Sequence, residues 1–110
     1  MTVGTLQYSS VNTANIAAGD YTITAATDKY QNWDPNGGAK TVDLVFVDTD
    51  ETGVTTGLAD LWIRNTADAS EAITLRDGNN SDAAICVIEQ DKQAHVRWNG
   101  SNWTSTTGET

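Results

Sequence analysis

Strand-sized runs recur roughly every 10–12 residues along most of this chain, and turn-forming residues separate them. The runs cover 20–25, 41–47, 58–65, 71–76, 83–89 and 93–98, and a closing hairpin follows. The first, Asp20-Tyr21-Thr22-Ile23-Thr24-Ala25, alternates apolar and polar residues as a half-buried strand does. No stretch of twelve or more residues carries an apolar stripe at helical spacing, and short helical turns are allowed only near 12–18 or 25–30. The spacing predicts an all-β domain, an antiparallel β-sandwich or barrel of seven to eight short strands. An extended N-terminal arm, 1–19, with one short strand near 6–9, precedes a single domain over 20–110.

The hairpin is the clearest local signal. Trp98 and Trp103 flank Asn99-Gly100-Ser101-Asn102, and an Asn-Gly pair tolerates the positive φ angles of a tight reversal. Residues 27–40 read as a long polar loop holding Trp33 and Asn36-Gly37-Gly38. The 41–47 run is apolar on both faces in its second half, which implies cover on both sides. No internal repeat of the solenoid or propeller kind is visible.

Fifteen Asp and Glu against six Lys and Arg give a net charge of −9. Such a field repels nucleic-acid phosphates and anionic membranes, so neither is an expected partner. The first residues lack the basic and apolar regions of a signal peptide, no apolar run reaches membrane-spanning length, and a lone cysteine builds no internal disulfide. Synthesis and folding in a cytoplasm follow as the expectation.

Catalytic material is sparse. His95 is the single histidine, on the polar side of its strand beside Gln93 and Arg97, and Cys86 lies in an apolar run as a small hydrophobe. There is no nucleophile elbow, phosphate loop or paired-carboxylate motif, so no enzyme and no cofactor are expected. Asp48-Thr49-Asp50-Glu51-Thr52-Gly53 begins like a calcium loop but has Ala59 where a bidentate Glu belongs; Asp77-Gly78-Asn79-Asn80-Ser81-Asp82 lacks the central glycine. Ordinary Asx turns are the expectation for both, with an irregular oxygen-ligated calcium site as the alternative. Trp33, Trp62, Trp98 and Trp103 are either packing anchors or a sugar-stacking platform.

Two stretches carry a resemblance. Leu61-Trp62-Ile63-Arg64-Asn65-Thr66 leads to Ala72-Ile73-Thr74-Leu75-Arg76-Asp77-Gly78, and Ile88-Glu89-Gln90-Asp91-Lys92 leads to Trp98-Asn99-Gly100-Ser101-Asn102-Trp103. The order of an "I-x-N-T" strand, an "I-T-V/L" strand, "I-x-Q-x-K" and an aromatic-Asn-Gly-x-x-Trp hairpin, over roughly 41–104, resembles β modules of bacteriophage virion proteins. Those are head-decoration and tail-fibre proteins. The resemblance implies a homotrimeric β fold without catalytic residues, located on the virion. A short, acidic unit suits a head-decoration (cement) protein that grips the major capsid protein of the assembled shell. A tail-fibre or receptor- and glycan-binding module is the alternative. On that reading Val45, Val47, Trp62 and Ile88 are candidates for the subunit interface. Trp33, Asn36, Trp98 and Trp103 are candidates for capsid or ligand contact, along with the N-terminal arm and the 27–40 loop.

Overall fold

The computed structural model describes residues 10–24, 27–47 and 59–108. The expected strand near 6–9 and the acidic loop that starts at Asp48 lie outside the described residues. The described chain is all-β, with nine strands and no helix: β1 (Ser10–Ala14), β2 (Gly19–Ile23), β3 (Tyr30–Asp34), β4 (Lys40–Phe46), β5 (Ala59–Asn65), β6 (Ile73–Asp77), β7 (Ala83–Ile88), β8 (Gln93–Trp98) and β9 (Trp103–Gly108). They form two sheets, sheet A in the order β1-β3-β5-β8-β9 and sheet B in the order β2-β4-β6-β7.

The expected all-β fold is present, and of the sandwich and barrel alternatives it is two facing sheets; the expected antiparallel order is not, because both sheets are mixed, and period-two alternation cannot reveal pairing direction. From β1 to β6 the chain alternates between the sheets, so β1, β3 and β5 pair in parallel in sheet A, and β2, β4 and β6 do so in sheet B. Parallel neighbours need a long crossover, usually a helix. Here each crossover is a strand of the opposite sheet, and the chain winds as three flat coils. The antiparallel pairings are β6–β7, β5–β8 and β8–β9. Winding left no visible repeat because its steps are unequal: Ser10 sits beside Tyr30, and Tyr30 beside Trp62.

One core fills the space between the sheets. Sheet B contributes Ile23, Val42, Leu44, Phe46, Ile73, Leu75 and Ile88; sheet A contributes Trp33, Leu61, Ile63, Ala94, Val96, Trp98 and Trp103. The alternation in β4 shows why: Val42, Leu44 and Phe46 point inward and are buried, while Thr41 and Val45 on the other face stay half-buried. Trp98 stacks on Phe46 with ring centroids 5.5 Å apart and tilts against Trp103 at 5.7 Å, joining the sheets at the closing hairpin. Such ring pairs contribute about 0.5–1.5 kcal/mol each beyond their buried area.

Two further sequence expectations change. Residues 10–19 are not a free arm: β1 pairs with β3, Ile16 is in the core, and Gly19 opens β2. Likewise, 27–40 is not one loop, because β3 runs through it. Its alternation is hidden by Gln31, a polar residue that faces inward and is 2 % exposed. Gln31 is satisfied there, donating to Asp28 O at 2.7 Å and accepting from Trp33 Nε1 at 3.2 Å.

Candidate interaction surfaces

The motif residues of the resemblance are fastenings within the fold. Asn65, fully buried at the end of β5, donates through Nδ2 to Glu71 O (2.7 Å) and Ile88 O (3.0 Å), and accepts from Ala67 N at 2.9 Å. Its backbone pairs with the β7–β8 turn, accepting from Asp91 N and donating to Lys92 O. Gln90 donates to Ala67 O at 3.2 Å and closes the same junction. The Asn of "I-x-N-T" and the Gln of "I-x-Q-x-K" therefore join two turns that are distant in sequence.

The 77–82 turn serves the same purpose at the other end of β6. Asp77 is buried; its carboxylate accepts from Asn79 N (3.0 Å), Asn80 Nδ2 (2.8 Å) and Trp103 N (3.0 Å). Asn79 brackets the end of β4, accepting from Phe46 N at 2.8 Å and donating to Phe46 O at 3.1 Å. Asn80 reaches Ser101 O at 2.8 Å. These side chains are used on the protein's own backbone, as Asx-turn chemistry requires. No cluster of three or more His, Cys, Asp or Glu placed to hold a metal occurs among the described residues. In the hairpin, Gly100 takes φ +97°, while the Asn99 carboxamide oxygen caps Ser101 N (2.9 Å) and Asn102 N (2.8 Å).

Three expected contact residues are core residues instead. Trp33 is fully buried and packs on Tyr21 with ring centroids 4.8 Å apart; Trp98 and Trp103 are buried in the cluster just described. The cause is parity, since each takes an inward position on its strand. Ile88, expected at a subunit interface, is also a core residue at 1 % exposure. Asn36 is exposed, as a contact residue must be, and donates through Nδ2 to Asn15 Oδ1 at 2.5 Å.

What remains outward is distributed over two faces. On sheet A, one row runs Ser10, Tyr30, Trp62, His95, Thr106 across the strands, and its neighbour runs Asn12, Asn32, Arg64, Gln93. Asn32 donates to Asn12 Oδ1 at 2.9 Å. Trp62 and His95 stack with centroids 4.3 Å apart and an interplanar angle of 9°, and His95 Nε2 is hydrogen-bonded to Asp60 Oδ1. That separation is close to the spacing of adjacent strands, so the rings stand on the sheet and turn their faces toward each other. A flat sugar platform needs faces turned to solvent.

On sheet B, Asp43 lies under a two-pronged ion pair: Arg76 Nε donates to Oδ1 at 2.6 Å and a terminal guanidinium nitrogen to Oδ2 at 3.0 Å. This hydrogen-bonded pairing raises the Arg76 pKa further above its ordinary value, and Asp82 adds to the effect from 3.7 Å. Around the pair, Val45 is half-buried, and Val47 and Val87 are 40 % and 48 % exposed.

Cys86 is half-buried against the core beside a bulge at Leu75/Arg76, close to β9. Burial pushes its thiol pKa up, and the hydrogen bond from Ser105 pulls in the opposite direction. A thiol so protected is a poor nucleophile at neutral pH. Comparison of the chain with family models, with curated proteins and with solved structures finds no match in any of the three.

Proposed function

We propose that this chain is a bacteriophage capsid decoration (cement) protein, a homotrimer that binds the major capsid protein of the assembled head. The observation that supports this reading most is the character of the two outer faces. Because each crossover is itself a strand, the described residues place no helical layer on either outer face, and apolar side chains stand there in the open. Among the described residues, no further layer covers Trp62 on sheet A or Val45, Val47 and Val87 on sheet B. Val45, Val47 and Trp62 are the subunit contacts of this proposal, and exposed Asn36 is its shell contact. A second support is the internal use of the motif polar groups at Asn65, Asp77, Asn79 and Gln90, which makes them parts of a scaffold.

The mechanism is linkage without chemistry. A protein that binds only the closed shell lowers the free energy of that shell in proportion to the logarithm of its concentration over Kd, so it needs no cofactor. Its place is the exterior of the virion after synthesis in the host cytoplasm. Nucleic acid and membrane are not partners in this scheme, in keeping with the −9 charge.

The test is cosedimentation with heads that lack this protein. The wild-type chain saturates them and raises their resistance to heat. Val47→Asp, at an exposed site, folds and fails to bind. Sedimentation as a monomer at micromolar concentration refutes the trimer, and absence from the head pellet refutes the decoration role.

A further inference from the structure

A cleft of about 410 Å³ opens at one end of the sandwich, where the β2–β3 connection, the start of β5 and the end of β8 meet. We propose that it binds a monosaccharide carrying a carboxylate, such as a uronic acid unit of a surface glycan. Two of the six basic residues of a strongly acidic chain, Lys29 and Arg97, line this one cleft. Asn99 is a third donor: its Oδ1 is occupied by Ser101 N and Asn102 N, so its amide group is the part that can reach a ligand. Donors in this proportion select an anionic oxygen, and the guanidinium fork of Arg97 matches the two oxygens of a carboxylate.

The other walls select the rest of the ligand. Asp60 faces Arg97 across the strand pair and carries an acceptor oxygen beyond the one shared with His95, suited to a sugar hydroxyl. Half-buried Ala59 and the rim of the largely buried Trp98 supply an apolar patch for the C–H face of a ring. Phosphate has no C–H face to set on that patch and no hydroxyl ring to offer Asp60. The volume is within the range of small-ligand sites.

The cleft is preformed. Thr24 and Thr27 are tied to each other, Thr27 N donating to Thr24 O (3.0 Å) and Thr24 N to Thr27 Oγ1 (2.9 Å). Gln31 ties Asp28 O into the core side, and Lys29 O accepts from Trp62 N at 2.6 Å. Lys29 is therefore held at a fixed base, which lowers the ordering cost of binding. The glycan contact expected of Trp33 and Trp103 is moved to a separate set of residues. The proposal does not rest on shell binding, because it concerns the isolated chain.

The experiment is an amide NMR titration of the whole chain with sodium glucuronate, glucose, acetate and phosphate in parallel. Glucuronate is expected to move the Lys29, Asp60, Arg97 and Asn99 resonances saturably with Kd near ~1 mM, and glucose to bind at least about tenfold more weakly. Arg97→Gln and Lys29→Met each weaken glucuronate by about tenfold, while Arg97→Lys retains part of the affinity. Their own spectra report whether the fold is kept. The proposal is overturned if glucuronate gives no saturable shift, if acetate or phosphate binds as tightly, or if folded Arg97→Gln and Lys29→Met bind as well as the parent.

Discussion

Replacing Asn65 by alanine should remove a large part of the stability of this protein. The side chain is fully buried and makes three hydrogen bonds to three backbone groups: Glu71 O, Ile88 O and Ala67 N. Alanine makes none of these, and water has little access to the Ile88 and Ala67 groups, which lie at buried bonds. A buried group left unsatisfied costs about 1–3 kcal/mol. Two such groups, with a smaller loss at the half-buried Glu71 carbonyl, give about 3–5 kcal/mol, out of a total of about 5–15 kcal/mol for a domain. Urea unfolding followed by tryptophan fluorescence measures it, with the midpoint falling and the slope unchanged. Asn65→Asp is the sharper control. It is isosteric, but at neutral pH it turns a carboxylate oxygen toward the Glu71 and Ile88 carbonyls, so it should be no more stable than the alanine variant. A loss below about 1 kcal/mol for Asn65→Ala, the worth of one ordinary hydrogen bond, refutes the view that this side chain fastens the two turns. An Asn65→Asp variant more stable than Asn65→Ala refutes it too.

Other expectations follow from particular contacts. A Cβ on Gly78 would sit 2.6 Å from Val45 Cγ2 and 2.9 Å from Leu44 O, so Gly78→Ala should cost about 1–3 kcal/mol in urea unfolding, partly recovered by adding Val45→Ala. Burial raises the pKa of both Cys86 and Tyr21, so the folded chain keeps protons that the unfolded chain releases. Stability is therefore full below the unfolded thiol value of about 8.5, and falls as pH rises through the folded value. A second fall, from Tyr21, begins near the phenol value of about 10; alkaline urea titrations of Cys86→Ala should retain only that second one. For the same reason, a thiol-specific disulfide reagent should label native protein at pH 8 much more slowly than urea-unfolded protein. If the outer faces are contact surfaces, Trp62→Arg should shift the sedimentation coefficient toward the monomer while leaving the urea midpoint nearly unchanged.

The all-β class and the place of most strands were legible from residue order alone, because alternation of apolar and polar residues is a local property that needs no partner. The closing hairpin was equally legible: Asn99-Gly100 carries its own geometry, the Asn through its carboxamide and the Gly through positive φ. The polar β3 was not legible, since Gln31 breaks the pattern and is compensated only by Asp28 and Trp33 once folded. Nor was the pairing direction, because alternation is the same in parallel and antiparallel strands and the coils have unequal steps. The fates of the tryptophans and of Ile88 also belonged to tertiary structure. A residue's parity on its strand can be read locally, but which parity faces the core depends on which sheet the strand joins. The cleft shows the same limit most plainly. Lys29, Asp60 and Arg97 are far apart in the chain, and only the crossing of three separate segments at one end of the sandwich brings them together.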